Sequence, residues 1–120
     1  MSYIDGFVLA VPDSNKKAFI DHATRFDAMF LEFGATRVVE CWGDDVPEGK
    51  ITDFRRSVQA KEGESVVFSW IEWPDKATRD AGMEKFMKDP RMEAAGEMPF
   101  DGKRMILGSF APVVELTAGK

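Results

Sequence analysis

The single histidine of this 120-residue chain, His22, is the side chain best suited to proton transfer near neutral pH. It lies in the run DSNKKAFIDHATRFDAMFLEFG, where apolar residues recur with a helical period. On a helical wheel of about 100° per residue, His22 falls between Phe26 and Met29, at the edge of an apolar stripe. This position predicts an imidazole that faces a space beneath the helix, where it would act as a general base.

Aromatic side chains are expected to form the walls of such a site. Trp42 and Trp70 lie on predicted strands, and Phe26 lies one turn after His22 on the same helix. Packing the helix on the sheet would give an aromatic pocket with one titratable group. We therefore predict His22 as the catalytic residue and Phe26, Trp42 and Trp70 as ligand-binding residues. In the alternative, His22 simply hydrogen-bonds a carbonyl or carboxylate at the edge of the core.

A cluster of acidic residues in the run VVECWGDDVPEGKITDF raises the question of a metal site. It consists of Asp44, Asp45, Glu48 and Asp53. Hard cations such as calcium bind six to eight oxygen atoms. The order of these acids does not follow the EF-hand pattern, and Lys50, Arg55 and Arg56 reduce the local negative charge. The segment is predicted to be a solvated hairpin loop, and no metal site is predicted.

Three further acids, Asp5, Glu40 and Glu72, fall on predicted strands. A carboxylate inside an apolar sheet must be paired or have a raised pKa. One of these acids could orient the histidine or bind a polar group of a substrate. Pairing with Arg37 and Arg104, the bases available on the strands, is the interpretation we favour.

Composition limits the classes of function. Hydrophobic residues make up 44% of the chain and charged residues 31%, as in ordinary globular proteins. The net charge of -5 and the scattered positions of the 16 basic residues argue against nucleic acid and anionic membranes as partners. No glycine-rich phosphate loop is present, so no cofactor is predicted.

The N-terminal run has no basic residue before its apolar segment, and no apolar stretch reaches the roughly 20 residues of a membrane helix. We therefore expect a cytoplasmic protein. The single cysteine, Cys41, excludes an internal disulfide. Because it lies within an apolar strand, we expect it to be a small buried hydrophobic residue.

Patterns along the chain predict four strands and two helices in a single domain over residues 1–120. The strands cover 3–11, 35–43, 65–73 and 103–111, and the helices run from a Ser14 cap to about Phe33 and over 76–88, with a further turn at 91–95. Gly34 is expected to end the first helix, and Asp75 to cap the second. The order β-α-β-β-α-β predicts an α+β ferredoxin-like fold with an antiparallel four-stranded sheet, in which the first and third strands are central.

The predicted strands are apolar on both faces. In the third strand one face carries Val66, Phe68, Trp70 and Glu72, and the other carries Val67, Ser69, Ile71 and Trp73. Two helices can cover only one face of the sheet, and the segment 112–120 is too short to cover the other. We therefore predict a homodimer whose two sheets pack face to face.

The stretches RVVECWGDDVPEGKITDF, VVFSWIEWP, DPRM and GEMPFDGKRMI, in this order and spacing, resemble the YbaA-like family of small bacterial proteins. The resemblance extends over nearly the whole chain and implies the dimeric α+β barrel superfamily. The family has no known function, so the resemblance implies no catalytic residues and no cofactor.

Two functions from different classes are therefore predicted. The first is binding of a small molecule, or a cofactor-independent enzyme, with an aromatic pocket between helices and sheet. The alternative is a non-catalytic structural or interaction protein, associated with stress, in which the aromatic interior only stabilises the fold. A cavity that includes His22 would favour the first function.

Overall fold

Strands and helices alternate along the chain in a computed structural model that describes residues 2–119, apart from the side chain of Glu93. In chain order the elements are β1 (Tyr3–Pro12), α1 (Lys16–Glu32), β2 (Arg37–Trp42), α2 (Phe54–Ser57), β3 (Glu64–Trp73), α3 (Lys76–Lys88), α4 (Pro90–Glu93) and β4 (Ile106–Phe110). Within the described residues, none of these helices has the length and apolar content needed to cross a membrane.

The four strands of the described chain form one antiparallel sheet in the order β2-β3-β1-β4. On β1, Val8 lies opposite Phe68 of β3 on one side and Ile106 of β4 on the other. The strands β1 and β3 are therefore central, which is the order of a ferredoxin-like fold. This confirms the predicted α+β class.

Local signals account for most element ends. The side chain of Asp75 accepts a hydrogen bond of 2.7 Å from the backbone nitrogen of Thr78, so α3 is capped as predicted. Gly34 has a φ of 120°, a conformation that suits glycine just after a helix. The predicted Ser14 cap was wrong. That residue lies in a short 3-10 turn, and the helix begins two residues later, after Asn15.

The fourth strand begins at Ile106 rather than at the predicted residue 103. Residues Gly102–Arg104 instead form a 3-10 turn, which the Asp101 side chain caps. Arg104 leaves the strand direction and makes a bidentate ion pair with Glu64, with both N–O distances 2.8 Å. This pair holds the pKa of Glu64 down at about 2.

Both faces of the sheet are apolar, as predicted, but they are covered differently. Helices α1 and α3 lie on the face that carries Trp73, which is completely buried. On the other face, called here the open face, Val66 is buried against Val58 from the β2–β3 connection, whereas Phe68 is 46% exposed. The C-terminal segment does not cover this face, since Val113 in it is 94% exposed.

The strand acids find partners that only partly match the prediction. Glu72 pairs with Arg37 as expected, with 3.4 Å between Oε2 and Nη1. Asp5 was expected to pair with a strand base, and this was wrong. Its side chain faces the helices, where Arg79 of α3 donates two hydrogen bonds to it, of 3.0 and 3.1 Å. Buried Asp5 thus has its countercharge on a helix.

The acidic connection after β2 is a structural loop. Asp53 caps α2 by accepting a hydrogen bond from the backbone nitrogen of Arg56, and it accepts another from Gly49 in the loop; both bonds lower its pKa. Glu48 pairs with Arg56 at 3.3 Å. Within residues 2–119, no three acidic, histidine or cysteine side chains are grouped as a metal site would require.

Cys41 was expected to be buried, and this was wrong for the single chain. It is exposed on the open face, opposite Phe68 in the register of β2 and β3. Because β2 is an edge strand of the sheet, only one neighbouring strand shields it. Cys41 is therefore exposed for the same reason as Phe68, because nothing in the described residues of a single chain covers this part of the open face.

Candidate functional site

A cavity of about 170 Å³ lies between the helix-covered face of the sheet and α1. Its walls are apolar and aromatic except for four polar side chains, His22, Asp27, Glu40 and Ser69. We call this space the inner cavity. A second space of about 350 Å³, the outer groove, adjoins it and shares Phe19, Ala23, Asp27, Val38 and Glu40 with it.

Residues 89–105, called here the covering segment, close one side of the inner cavity. The segment contributes Met92, Ala95, Met98, Phe100 and Met105 to the wall. It is tied down near both ends, where Arg91 pairs with Glu32 at 2.7 Å and Arg104 pairs with Glu64. Between them, Asn15 Nδ2 donates a hydrogen bond of 3.0 Å to the carbonyl of Pro99.

His22 lies in the wall of the inner cavity, as the helical wheel predicted. Its ring centre is 4.6 Å from that of Phe26, and Phe100 meets it edge-on at 6.2 Å. In the described residues no hydrogen bond joins the imidazole to a carbonyl or carboxylate. Burial and the nearby Arg25 lower its pKa, although Glu40 opposes this shift, so the ring is neutral at pH 7.

The other predicted ligand-binding residues are only partly brought together. Phe26 is a wall of the inner cavity. Trp42 lies in the outer groove, where its ring is 5.1 Å from Lys16 Nζ. The indole of Trp70 is on the open face, 5.7 Å from the ring of Phe68, and donates a hydrogen bond of 2.8 Å to Glu72. Strand alternation leaves only the main chain of Trp70 to border the cavity.

Asp27, which the sequence analysis did not single out, is the most perturbed acid of the site. Burial and a hydrogen bond with Glu40 raise its pKa to about 9, so it carries a proton at neutral pH. A signal was present in the sequence, because Asp27 interrupts the apolar stripe formed by Ala23, Phe26 and Phe30. An acid inside such a stripe must be paired or neutral.

The raised pKa of Asp27 predicts a stability that decreases as the pH rises. From its usual value of 3.8 up to about 9, the folded chain binds a proton that the unfolded chain lacks. An amide in place of this carboxyl group cannot titrate, so D27N is expected to exceed the wild type in unfolding free energy by about 1–3 kcal/mol near pH 8. The difference should shrink towards about pH 4.

Urea unfolding across this pH range measures the effect. D21N, a change at an exposed acid of the same helix, is the matched control and should follow the wild type. An unchanged pH profile for D27N would show that Asp27 ionises normally in the folded protein.

The sheet, its helices and the cavity between them define a ferredoxin-like α+β protein, and solved structures of this class are similar to it. A dimeric ferredoxin-like protein from an uncultured marine organism has a TM-score of 0.59 and 14% identity, covering 97% of this chain and 100% of that one. A monooxygenase from Streptomyces coelicolor in complex with nanaomycin D has a TM-score of 0.60 and 11% identity, covering 98% and 93%. SnoaB, a cofactor-independent oxygenase from Streptomyces nogalater, has a TM-score of 0.56 and 14% identity. The match covers 98% of this chain and 96% of SnoaB.

Sequence comparison gives the family. The family described as protein of unknown function (DUF1428) matches residues 2–102. The uncharacterized protein YbaA of Escherichia coli K12 is 57% identical over 116 residues, which are 96% of this chain and 99% of that protein. The corresponding YbaA of Shigella flexneri matches to the same extent. The chain therefore belongs to this family of unknown function, which confirms the resemblance found in its motifs.

Proposed function

We propose that the protein binds a compact, uncharged and mostly apolar small molecule in the inner cavity. The observation that carries the proposal is an aromatic cavity into which a few polar groups converge beside His22. An apolar cavity of about 150 Å³ is known to hold benzene, so the inner cavity suits a ligand of about one ring.

The charges of the wall favour a neutral ligand. Lysine and arginine are absent from the described lining of the inner cavity. Asp27 and His22 are neutral at pH 7, and Glu40 is the remaining ionisable group of that wall. An anionic ligand would therefore meet a negative charge without a compensating cation. A hydroxyl or carbonyl group on the ligand has hydrogen-bonding partners in the carboxyl pair and in the hydroxyl of Ser69.

Two of the structural neighbours are named as oxygenases. One is named as a cofactor-independent oxygenase, and the other as a monooxygenase with nanaomycin D bound. Both are distant in sequence, so they support only the idea that this fold accommodates ligands. A cofactor-independent reaction by acid–base chemistry is the enzyme class that the groups of the inner cavity suit best.

We also propose that the protein is a homodimer that joins the open faces of two sheets. Four large apolar side chains that remain about half exposed or more support this: Phe54, Phe68, Ile106 and Phe110. Contiguous apolar surface of this kind is typical of an interface. One structural neighbour is named as a dimeric ferredoxin-like protein. A cytoplasmic location is part of the same proposal, since a free thiol such as that of Cys41 suits a reducing compartment.

Calorimetric titration with phenol tests the binding proposal. Phenol has the size of the inner cavity and one hydroxyl group, so we expect saturable binding with one ligand per chain. H22A is expected to weaken binding by about tenfold, because it removes the aromatic contact between the imidazole and the ligand. The melting temperature should change little, since the half-buried imidazole makes no hydrogen bond to a carbonyl or carboxylate within residues 2–119.

K17A, on the exposed side of α1, is the control and should bind phenol as the wild type does. A wild-type protein that does not bind phenol or cyclohexanone would overturn the proposal. A large loss of stability in H22A would assign the histidine to the scaffold and favour the alternative of a non-catalytic structural or interaction protein.

A further inference from the structure

Asp27 and Glu40 lie at the boundary between the two spaces of the site. Both side chains line the inner cavity and the outer groove. Asp27 comes from α1 and Glu40 from β2, so the packing of the helix on the edge strand brings them together. The two carboxyl groups interact closely enough that Glu40, after burial, is the second cause of the raised pKa of Asp27.

The pair holds one proton and one negative charge at neutral pH. Two carboxylates in contact cannot both ionise easily, and the more buried Asp27 retains the proton. Glu40 reaches the more solvated edge of the site, where its charge raises the pKa of His22 against the effects of burial and Arg25. An apolar wall therefore presents a neutral acid beside a carboxylate base.

We propose that Asp27 and Glu40 are an acid–base pair that shifts a proton between carbon atoms of a small cyclic β,γ-unsaturated ketone. This inference rests on the proposed function, since the ketone is one of the compact neutral ligands that fit the inner cavity. A carboxylate base combined with a neutral carboxylic acid, in apolar surroundings, is a known arrangement for stabilising an enolate.

The reaction moves one proton from the α carbon of the ketone to its γ carbon. The carboxylate of Glu40 removes a proton from the carbon between the carbonyl group and the double bond. The C–H electron pair moves into a dienolate, whose oxygen becomes negative and accepts a hydrogen bond from the Asp27 carboxyl group. The Glu40 acid then returns its proton to the γ carbon, and the product is the conjugated ketone. No oxidant, reductant or other reactant is consumed.

The surroundings of the pair favour a neutral ketone over an anionic substrate. The described lining that β3 and the covering segment contribute to the cavity contains no ionisable side chain. The charged or titratable groups that face the pair are His22 in the cavity and Lys16 in the outer groove, both on α1. Low polarity in the cavity strengthens the hydrogen bond to a developing enolate.

The test uses 3-cyclohexen-1-one as the probe and follows formation of the conjugated enone by ultraviolet absorbance. The wild type is expected to accelerate the reaction saturably. E40Q should lower kcat by about 100-fold or more, because it removes the base. D27N should lower kcat by about tenfold, since an amide is a weaker donor to the enolate than a carboxylic acid.

Phenol binding separates this inference from the proposed function. Both variants are expected to retain phenol binding within about tenfold of the wild type, since the replacing amides still offer hydrogen bonds and apolar walls supply most of the contact area. The wild-type rate should fall at high pH as Asp27 loses its proton, and this decrease should be absent in D27N. E62Q, at an exposed acid of the β2–β3 connection, is the control and should keep the wild-type rate.

The outcomes are distinct. Phenol binding without acceleration of the probe reaction, or with a wild-type rate in E40Q, would overturn the acid–base pair and leave the binding proposal intact. Failure of the wild type to bind phenol and cyclohexanone would overturn the proposed function itself. Acceleration that E40Q abolishes, with phenol binding retained, would support both.

Discussion

Replacing Arg79 with alanine is expected to lower the free energy of unfolding by about 3–5 kcal/mol. The guanidinium group donates to both oxygens of Asp5, at 3.0 Å from Nη2 and 3.1 Å from Nε. Trp73 Nε1 and the hydroxyl of Ser109 also donate to this carboxylate, at 2.9 and 2.6 Å. Asp5 is only 2% exposed, so water cannot replace the lost countercharge.

Urea unfolding at a fixed protein concentration measures this effect, and a fixed concentration is needed because a dimer gains stability by mass action. R91A is the matched control. Arg91 also pairs with two acids, Asp89 and Glu32, but its side chain is 52% exposed. Loss of an exposed ion pair should cost less than about 1 kcal/mol. Similar losses in R79A and R91A would show that water reaches Asp5.

A second variant separates two causes of the stability lost in R79A, which are the unpaired charge of Asp5 and the loss of hydrogen bonds to it. The double substitution D5N/R79A removes the carboxylate together with its partner. Because no charge is then left buried, it should recover part of the stability lost in R79A. A double variant less stable than R79A would mean that the hydrogen bonds to Asp5, rather than its charge, dominate.

Replacing Phe68 with aspartate is expected to convert the proposed homodimer into monomers. Phe68 lies on the central strand β3, in the middle of the open face, and its ring contacts those of Phe54 and Trp70 at 5.8 and 5.7 Å. A charge placed there would be buried without a partner on association. We expect the dissociation constant to rise by more than about 100-fold, as for a central interface residue.

Sedimentation equilibrium at micromolar concentration measures the change. Circular dichroism should remain like that of the wild type, because Phe68 is 46% exposed in the single chain. L31D is the matched control, since Leu31 is 51% exposed on α1, away from the sheet. If F68D remains dimeric, the open face is not the interface. If the wild type sediments as a monomer, the dimer itself is overturned.

The family motifs acquire a structural meaning once the cavity is known. The DPRM and GEMPFDGKRMI stretches, on which the resemblance partly rests, make up most of the covering segment of the inner cavity. Its ion pairs to Glu32 and Glu64 hold it against α1 and β3. The segment is therefore part of the candidate site, and the acidic loop after β2 instead supports the opposite face through Val58.

Local patterns in the sequence were enough to predict the order of the four strands and two long helices, the ferredoxin-like class and the two-sided apolar sheet; the short helix α2 was missed. These follow from signals within a few residues of one another, such as the Asp75 cap, the glycine after α1 and the apolar runs of β1 and β3. The position of His22 in the apolar stripe was also a local property of one helix, and so it was predicted correctly.

The polar groups that meet in the folded chain could not be predicted from local patterns. Asp27 and Glu40 are on different elements, and Asp5 and Arg79 are 74 positions apart, so no local pattern pairs them. The face of Trp70 was decided in the same way. Strand alternation places Trp70 on the same face as Phe68. Which face of the sheet becomes the cavity wall depends on where helices α1 and α3 pack. Contacts between elements depend on how the helices dock, and that is a property of the whole packed chain.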